Sequence, residues 1–236
     1  MQVSGVLPET KTKPEAESEE RYSPRGLLAK VCTTLEARGC QVYVVTSVEE
    51  AVAQISAIVQ NSSLGLVPDH LLQETGLLRE LEKGNVLIER MDREGFAREH
   101  GMSLKPLADV RRAIREKIAH LAYGLTAVDA VIANHGALMI LDEEGSRHSL
   151  STLPYTHIAV ATIEQIVPDL PEAMAVARKL SQTRCTKARL ARYISIISGP
   201  SSTSDVQGQN VKGMHGPKDV KVILLDLAQP EEKTEK

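Results

Sequence analysis

The residues best suited to chemistry in this chain gather in three short polar stretches. The first is Ser198-Gly199-Pro200-Ser201-Ser202-Thr203-Ser204-Asp205, directly after the apolar run Ile194 to Ile197. Glycine lets a backbone approach a ligand closely, and hydroxyls together with free N–H groups can hold phosphate or carboxylate oxygens. The same residues also make an ordinary turn in which Ser and Asp satisfy their own backbone. The second stretch is Gly213-Met214-His215-Gly216-Pro217-Lys218, just before an apolar run at Val220 to Leu225. Flanking glycines leave the His215 imidazole uncovered, free to act as acid, base or hydrogen-bond donor, or as an incidental part of a tight turn. The third is Ala133-Asn134-His135-Gly136-Ala137, a polar pair interrupting apolar sequence, which reads as a bend between strands or as a ligand contact. Only Val206 to Lys212 separate the first stretch from the second, so the two can converge on one crevice edge. The candidate ligand-binding residues are therefore Ser198, Gly199, Pro200, Ser201, Ser202, Thr203, Asp205, Gly213, His215, Gly216, Asn134, His135 and Gly136. His215 and Asp205 are the candidates for catalysis.

Other polar groups offer less. His148 and His157 are nine residues apart, and an odd separation within one continuous strand sends side chains to opposite faces, which argues against a metal pair. Arg184, Lys187, Arg189 and Arg192 form a basic stripe that reads as a solvated helix face, and His70, His100 and His120 read as surface residues. Cys32, Cys40 and Cys185 match neither a disulfide framework nor a metal or iron–sulfur ligand set. The common nucleotide and hydrolase signatures, from GxxxxGK[ST] to GxSxG, do not occur. The expectation is a protein without metal or cofactor.

Elements able to position these loops can be read from apolar periodicity. Strand-like runs occur at Val42 to Val45, Leu64 to Val67, Val86 to Ile88, Ala130 to Ala133, Leu138 to Leu141, Ile158 to Ala161, Ile194 to Ile197 and Val220 to Leu225. Between them lie helical patterns. Ser47 and Glu50 have capping-box spacing before the stripe Val48, Ala51, Val52, Ile55, Ile58. A helix through Leu77, Leu78 and Leu81 ends near Gly84, and a longer one covers Asp109 to Tyr123 with Gly124 as its terminator. Pro171 opens another after Asp169, with the stripe Met174, Ala177, Leu180. Such alternation predicts one α/β domain, three layers α/β/α around a mainly parallel sheet, spanning residues 23–228 between disordered tails at 1–22 and 229–236.

The composition agrees and narrows the partners. With 42% apolar residues, no Trp and a single Phe, the core must be aliphatic and platforms for base stacking are scarce. A formal charge of −3 supplies no field for nucleic acid or anionic lipid. No segment reads as a signal peptide or a membrane span, so a cytoplasmic location is expected.

The order ANHGALMI, SLSTLPYTHIAV, IVPDLPEAM, ISGPSSTSDV, GMHGPKDVKVILL resembles the LUD-domain family, in its lactate utilisation protein C type. The likeness is carried strongly by residues 125–227 and by pattern alone over 25–124. It implies a fold similar to the sugar-phosphate isomerase and coenzyme A transferase-like superfamily. It also implies a non-redox subunit or accessory protein beside iron–sulfur proteins that oxidise L-lactate to pyruvate, binding a small anionic ligand or a partner. The alternative is a stand-alone isomerase or acyl/CoA transferase-like enzyme acting on a phosphorylated or CoA-linked substrate. A transferase of that kind needs a nucleophilic carboxylate, and Asp205 is the sole one in the three loops. Asp205 stands where the family has an aspartate, whereas the family's Thr-Gly-Thr is replaced here by His135-Gly136-Ala137, which keeps the glycine and loses two hydroxyls.

Overall fold

The computed structural model describes residues 23–84, 86–184, 193–204, 210–212 and 215–227. The end segments read as tails, together with Cys185, Lys187, Arg189, Arg192, Asp205 and Gly213, lie outside the described residues.

In the run Thr156–Thr162, alternate residues serve different cores: Ile158 and Val160 join one, Ala159 and Ala161 the other. A strand apolar on both sides belongs in the middle of a sheet covered on both faces. That sheet has six strands, numbered in chain order, all parallel. They lie in the order β1 (Gln41–Val45), β12 (Asp219–Leu225), β7 (Thr156–Thr162), β4 (Tyr123–Ala127), β2 (Ser63–Leu66), β3 (Leu87–Arg90). One face is covered by α2 (Val48–Val59), α3 (His70–Glu74) and α4 (Leu77–Lys83) through Ile55, Val59, Leu72, Leu77 and Leu81. Each fully buried aliphatic side chain contributes about 2 kcal/mol, so stability resides here rather than in the polar loops.

The opposite face is covered in two parts. Over β3, β2 and β4 lie α5 (Arg93–Glu99), α6 (Leu107–Ala119) and α7 (Ser146–Thr152), joined through Met91, Phe96, Ile114, Ile118 and Leu150. Over β7 and β12 lie α1 (Pro24–Ala37) and a second sheet, with Leu27, Val31, Leu35, Val131 and Leu138 in one cluster. The second sheet runs in the order β8 (Ile166–Val167), β5 (Ala130–Ile132), β6 (Ala137–Asp142), β9 (Tyr193–Ile197). Its far face carries α8 (Leu170–Arg184) on Ala130, Ile132, Ala137 and Met139. A short ribbon, β10 (Ser202–Ser204) with β11 (Asn210–Lys212), follows β9.

The α/β class with a parallel central sheet is thus as read from sequence, and five details differ. The runs at Ala130, Leu138 and Ile194 do not enter the parallel sheet. β6 runs antiparallel to both β5 and β9, and the three form a separate layer, because Asn134 to Gly136 turn the chain straight back. The helix expected to reach Tyr123 stops at Ala119, and Tyr123–Ala127 is a central strand. Gly124 ends no helix: a Cβ there would lie 2.3 Å from the Leu150 carbonyl oxygen, so its role is to admit α7 against β4. His148 and His157 do not share a strand, since His148 is on α7 and His157 on β7. Helix α1 had no counterpart in the reading, although Ser23 caps Gly26 N–H at 3.1 Å, Pro24 occupies the first turn and Leu27, Val31 and Leu35 repeat every four residues.

Candidate functional site

Two polar regions stand at opposite ends of the central sheet. At the amino end, the three loops singled out from sequence meet around the last turn of α1. Gly136 sits at φ +57°, and a Cβ there would lie 2.4 Å from the Thr34 carbonyl oxygen. Gly199 is at φ +113°, where a Cβ would lie equally close to the Arg38 carbonyl oxygen, and a Cβ on Gly39 would lie 3.6 Å from Pro200 Cδ. Ser201 N–H donates to the Pro217 carbonyl at 2.9 Å, and its hydroxyl accepts from His215 N–H at 3.3 Å. The ISGPS and HGP stretches are therefore neighbours, held by Ser201. The Asn134-His135-Gly136 bend joins them through α1: Thr34 Oγ1 donates to the Ala133 carbonyl at 2.9 Å, Arg38 Nε to the His135 carbonyl at 3.3 Å, and Lys30 Nζ to Asn134 Oδ1.

The side chains left outward are Asn134, His135, Ser198, Ser202 and His215, all exposed, with Gly136 buried and Ser201 and Gly216 half-buried. Thr203 lies on β10, facing Val211 of β11 in register. Gly216 has no positive φ; a Cβ would meet Ser201 Cβ at 3.2 Å, so crowding rather than backbone strain limits substitution there. Lys30, Arg38 and Lys218 bring positive charge. The Lys218 ammonium lies 5.2 Å over the Tyr155 ring, and hydrogen bonding to that phenol holds its pKa above the usual lysine value. Cys40, at the end of α1, is buried, which pushes its thiol up to about 11 and keeps it unreactive.

The HGP stretch leads into β12, and the end of α1 against which all three loops pack leads into β1, so the cluster lies at the amino edge of the sheet. The crevice outside the carboxyl ends, where parallel α/β sheets generally place ligands, is built from residues the sequence reading did not single out. Arg147 of α7 reaches across it. Its guanidinium donates to the Leu141 carbonyl at 2.9 Å and the Ala127 carbonyl at 2.6 Å, and pairs with Asp129 at 3.1 Å and Asp69 at 3.3 Å. Asp129 also accepts from Leu141 N–H at 2.8 Å. One cation thereby ties the ends of β2, β4 and β6 together. Asp142 accepts from Glu144, Gly145 and His148 N–H at 2.9, 3.0 and 2.8 Å, starting α7. The signal in the sequence was Asp142-Glu143-Glu144-Gly145 after an apolar run, an Asx-type turn into a helix, with Arg147 on its first turn.

The weaker candidates disperse. His157 is fully buried, 2.8 Å from Thr126 Oγ1, and burial pushes its pKa down to about 3, so it is neutral. His148 instead hydrogen-bonds Ser195 Oγ at 2.9 Å and stacks on Tyr193. His70 pairs with Glu74, and His100 stacks on Phe96. Among the described residues no group of three His, Cys, Asp or Glu could hold a metal ion, and no helix is long and apolar enough to cross a membrane.

Comparison with known proteins agrees with this architecture. The crystal structure of a DUF162 family protein from Deinococcus radiodurans superposes with a TM-score of 0.54, covering 86% of this chain and 98% of that one at 16% identity, which establishes a shared fold. Lactate utilization protein C of Halalkalibacterium halodurans is 33% identical over 102 residues, 43% of each chain. Lactate utilization protein B of Bacillus subtilis is 28% identical over 193 residues, 81% of this chain and 36% of that protein. An uncharacterized electron transport protein of Escherichia coli, YkgF, is 29% identical over 146 residues, 62% of this chain and 28% of that one. The chain thus spans less than half the length of these three curated relatives. The LUD domain profile matches residues 28–225, and the chain belongs to the LUD domain family.

Proposed function

We propose that this LUD domain is a non-redox component of a lactate-utilisation system, and that its amino-edge loop cluster is the surface by which it docks onto iron–sulfur proteins that oxidise L-lactate to pyruvate. The observation that supports this reading is the convergence of ISGPS, HGP and the Asn134-His135-Gly136 bend on one helix end. Their backbones are locked by close contacts while Asn134, His135 and His215 point outward. Exposed polar groups on a rigid frame favour recognition of another surface. Lys30, Arg38 and Lys218 favour a second reading at the same place, a small carboxylate such as lactate or pyruvate held by positive charge. Asp205 and Gly213, the remaining sequence candidates, belong to this proposal as flanking residues of the same loops.

A stand-alone transferase is the weaker alternative. Asp205, the carboxylate named from sequence for that role, lies outside the described residues, and in the carboxyl-end crevice Asp69 and Asp142 already accept N–H groups while Asp69 also pairs with Arg147. A carboxylate so engaged is a poor nucleophile. The test is genetic. Deleting the gene in its host should abolish growth on L-lactate while sparing growth on glucose, and a His215→Ala copy should restore growth poorly. Unimpaired growth of the deletion strain on L-lactate would refute the reading.

A further inference from the structure

A cavity of about 420 Å³ lies between the last turns of α2 and the amino ends of β4, β7 and β12. It is on the face of the sheet opposite α1 and the loop cluster, since α2 packs with Ile223 and Leu225 whereas α1 packs with Val222 and Leu224. Strand register explains its polarity. Tyr123, Thr156 and Asp219 are the first residues of their strands and stand side by side, and two residues further on Lys221 stands beside Gln41. Beyond them the same face is aliphatic through Val160, Ile223 and Leu225. From above, α2 brings Gln54, Ala57 and Ile58 to the cavity, a flank at three- and four-residue spacing beside its buried stripe Ala51, Ile55 and Val59.

Three of the chain's five tyrosines gather here, Tyr43, Tyr123 and Tyr155. Solvent at a sheet edge calls for no aromatic ring, whereas a phenol offers a ligand both an apolar face and a hydroxyl. Tyr43 Oη donates to Gln41 Oε1 at 3.1 Å, and Lys221 Nζ donates to the same oxygen, so both groups are held in place. Gln60 lines the rim from a backbone at φ 54°, the sole positive φ outside glycine among the described residues, a strained position of the kind that collects at ligand contacts. The phenols, the Gln54 and Gln60 amides and the Thr156 hydroxyl can each donate and accept, as sugar hydroxyls do. Asp219 and Lys221 carry opposite charge, so an ion drawn to one is repelled by the other, while a neutral ligand can bond to both. Only Ala57 and Ile58 are aliphatic, too little surface for an apolar ligand. We propose that this cavity binds a neutral sugar of one or two pyranose rings, its hydroxyls shared among Gln54, Gln60 and Asp219 and its C–H face against the tyrosine rings. The site is on the other face of the sheet from the loop cluster, so its fate does not bear on the proposed function.

The chain has no Trp, so its emission is that of its tyrosines, and tyrosine fluorescence reads the cavity directly. The full chain is titrated with the methyl glycosides of D-glucose, D-galactose and D-mannose and with maltose. At least one should change the emission saturably in the millimolar range. Its fully O-methylated derivative, which keeps the ring and loses the donors, should bind at least about tenfold more weakly, and sodium L-lactate should not displace the sugar. Tyr123→Phe, which removes a hydroxyl alone, and Gln60→Gly should each weaken that sugar about fivefold, the effect of one hydrogen bond. Gln60→Gly should melt at or above the parent's temperature, because glycine relieves the positive φ, and this separates a lost contact from a lost fold. No saturable response to any of the four sugars, equal binding of the methylated sugar, displacement by lactate, or full affinity in both variants would overturn the proposal.

Discussion

At the carboxyl end of the central sheet, Arg147 braces three strand ends with charge, accepted by two carbonyls and two carboxylates in a nearly dry setting. At the amino end, the loops are braced by shape: Gly136 and Gly199 bring backbone against the carbonyls of α1 at distances no side chain would permit. A charge brace fails when one partner is removed and leaves the others unpaired, whereas a shape brace fails when anything is added. The contrast also separates two uses of polar groups. The carboxyl-end groups largely satisfy one another, while the amino-end cluster spends its backbone on packing and leaves its imidazoles outside.

The largest effect should come from removing the cation. Arg147→Met should cost about 3–5 kcal/mol of unfolding free energy, because it removes the cation that Asp69 and Asp129 both face, as is usual for a broken buried pair. Adding Asp129→Asn to that variant should recover part of the loss; chemical denaturation of both would show it. A loss under about 1 kcal/mol would mean that water penetrates and the charge brace is weak.

Adding bulk tests the other end. Gly136→Val must strain a positive-φ position and displace α1, and should cost about 2–3 kcal/mol, while Gly216→Val, with no such φ, should cost about 1 kcal/mol or less. Equal costs in thermal melts would contradict the assignment of strain to Gly136.

Between the two ends His157 provides a pH lever. Its pKa falls from the ordinary 6.5 to about 3 on folding, so on acidification the unfolded chain takes up the proton first. The stability this group allows is full above pH 6.5 and is lost progressively toward pH 3. Between pH 7 and 5 the loss should be about 2 kcal/mol. His157→Leu, melted across the same range, should show a flatter dependence; an unchanged slope would assign the effect to other groups. The smallest expected effect on stability, within about 0.5 kcal/mol, belongs to His215→Ala, whose side chain is exposed.

The contrast between the ends also explains what could be read from sequence. Apolar runs such as Ile158 to Ala161 announce a buried parallel strand because both faces are covered, and the loop glycines announce close approach. The convergence of ISGPS and HGP was legible because few residues separate them. β4 was hidden because Leu121, buried with α6, continues the helical stripe of Ile114 and Ile118, and the change to a strand begins only at Tyr123. The Arg147 brace was hidden for a different reason. Its partners Asp69, Ala127, Asp129 and Leu141 come from separate connections, and no local pattern links an arginine on one helix to an aspartate 78 residues earlier. The placement of the loops at the amino edge depends on β9 leaving the parallel sheet, which periodicity alone does not encode.

The central claim is that the amino-edge cluster recognises a partner rather than merely turning the chain. Its most direct test is affinity purification of the tagged full chain from lactate-grown host cells, with iron and acid-labile sulfide measured in the eluate. The parent and an Arg93→Ala control, altered at the other end of the sheet, should carry iron–sulfur protein with them, and His215→Ala, folded to the same melting temperature, should lose most of it. Equal iron and sulfide with His215→Ala, or none with the parent, would contradict the account.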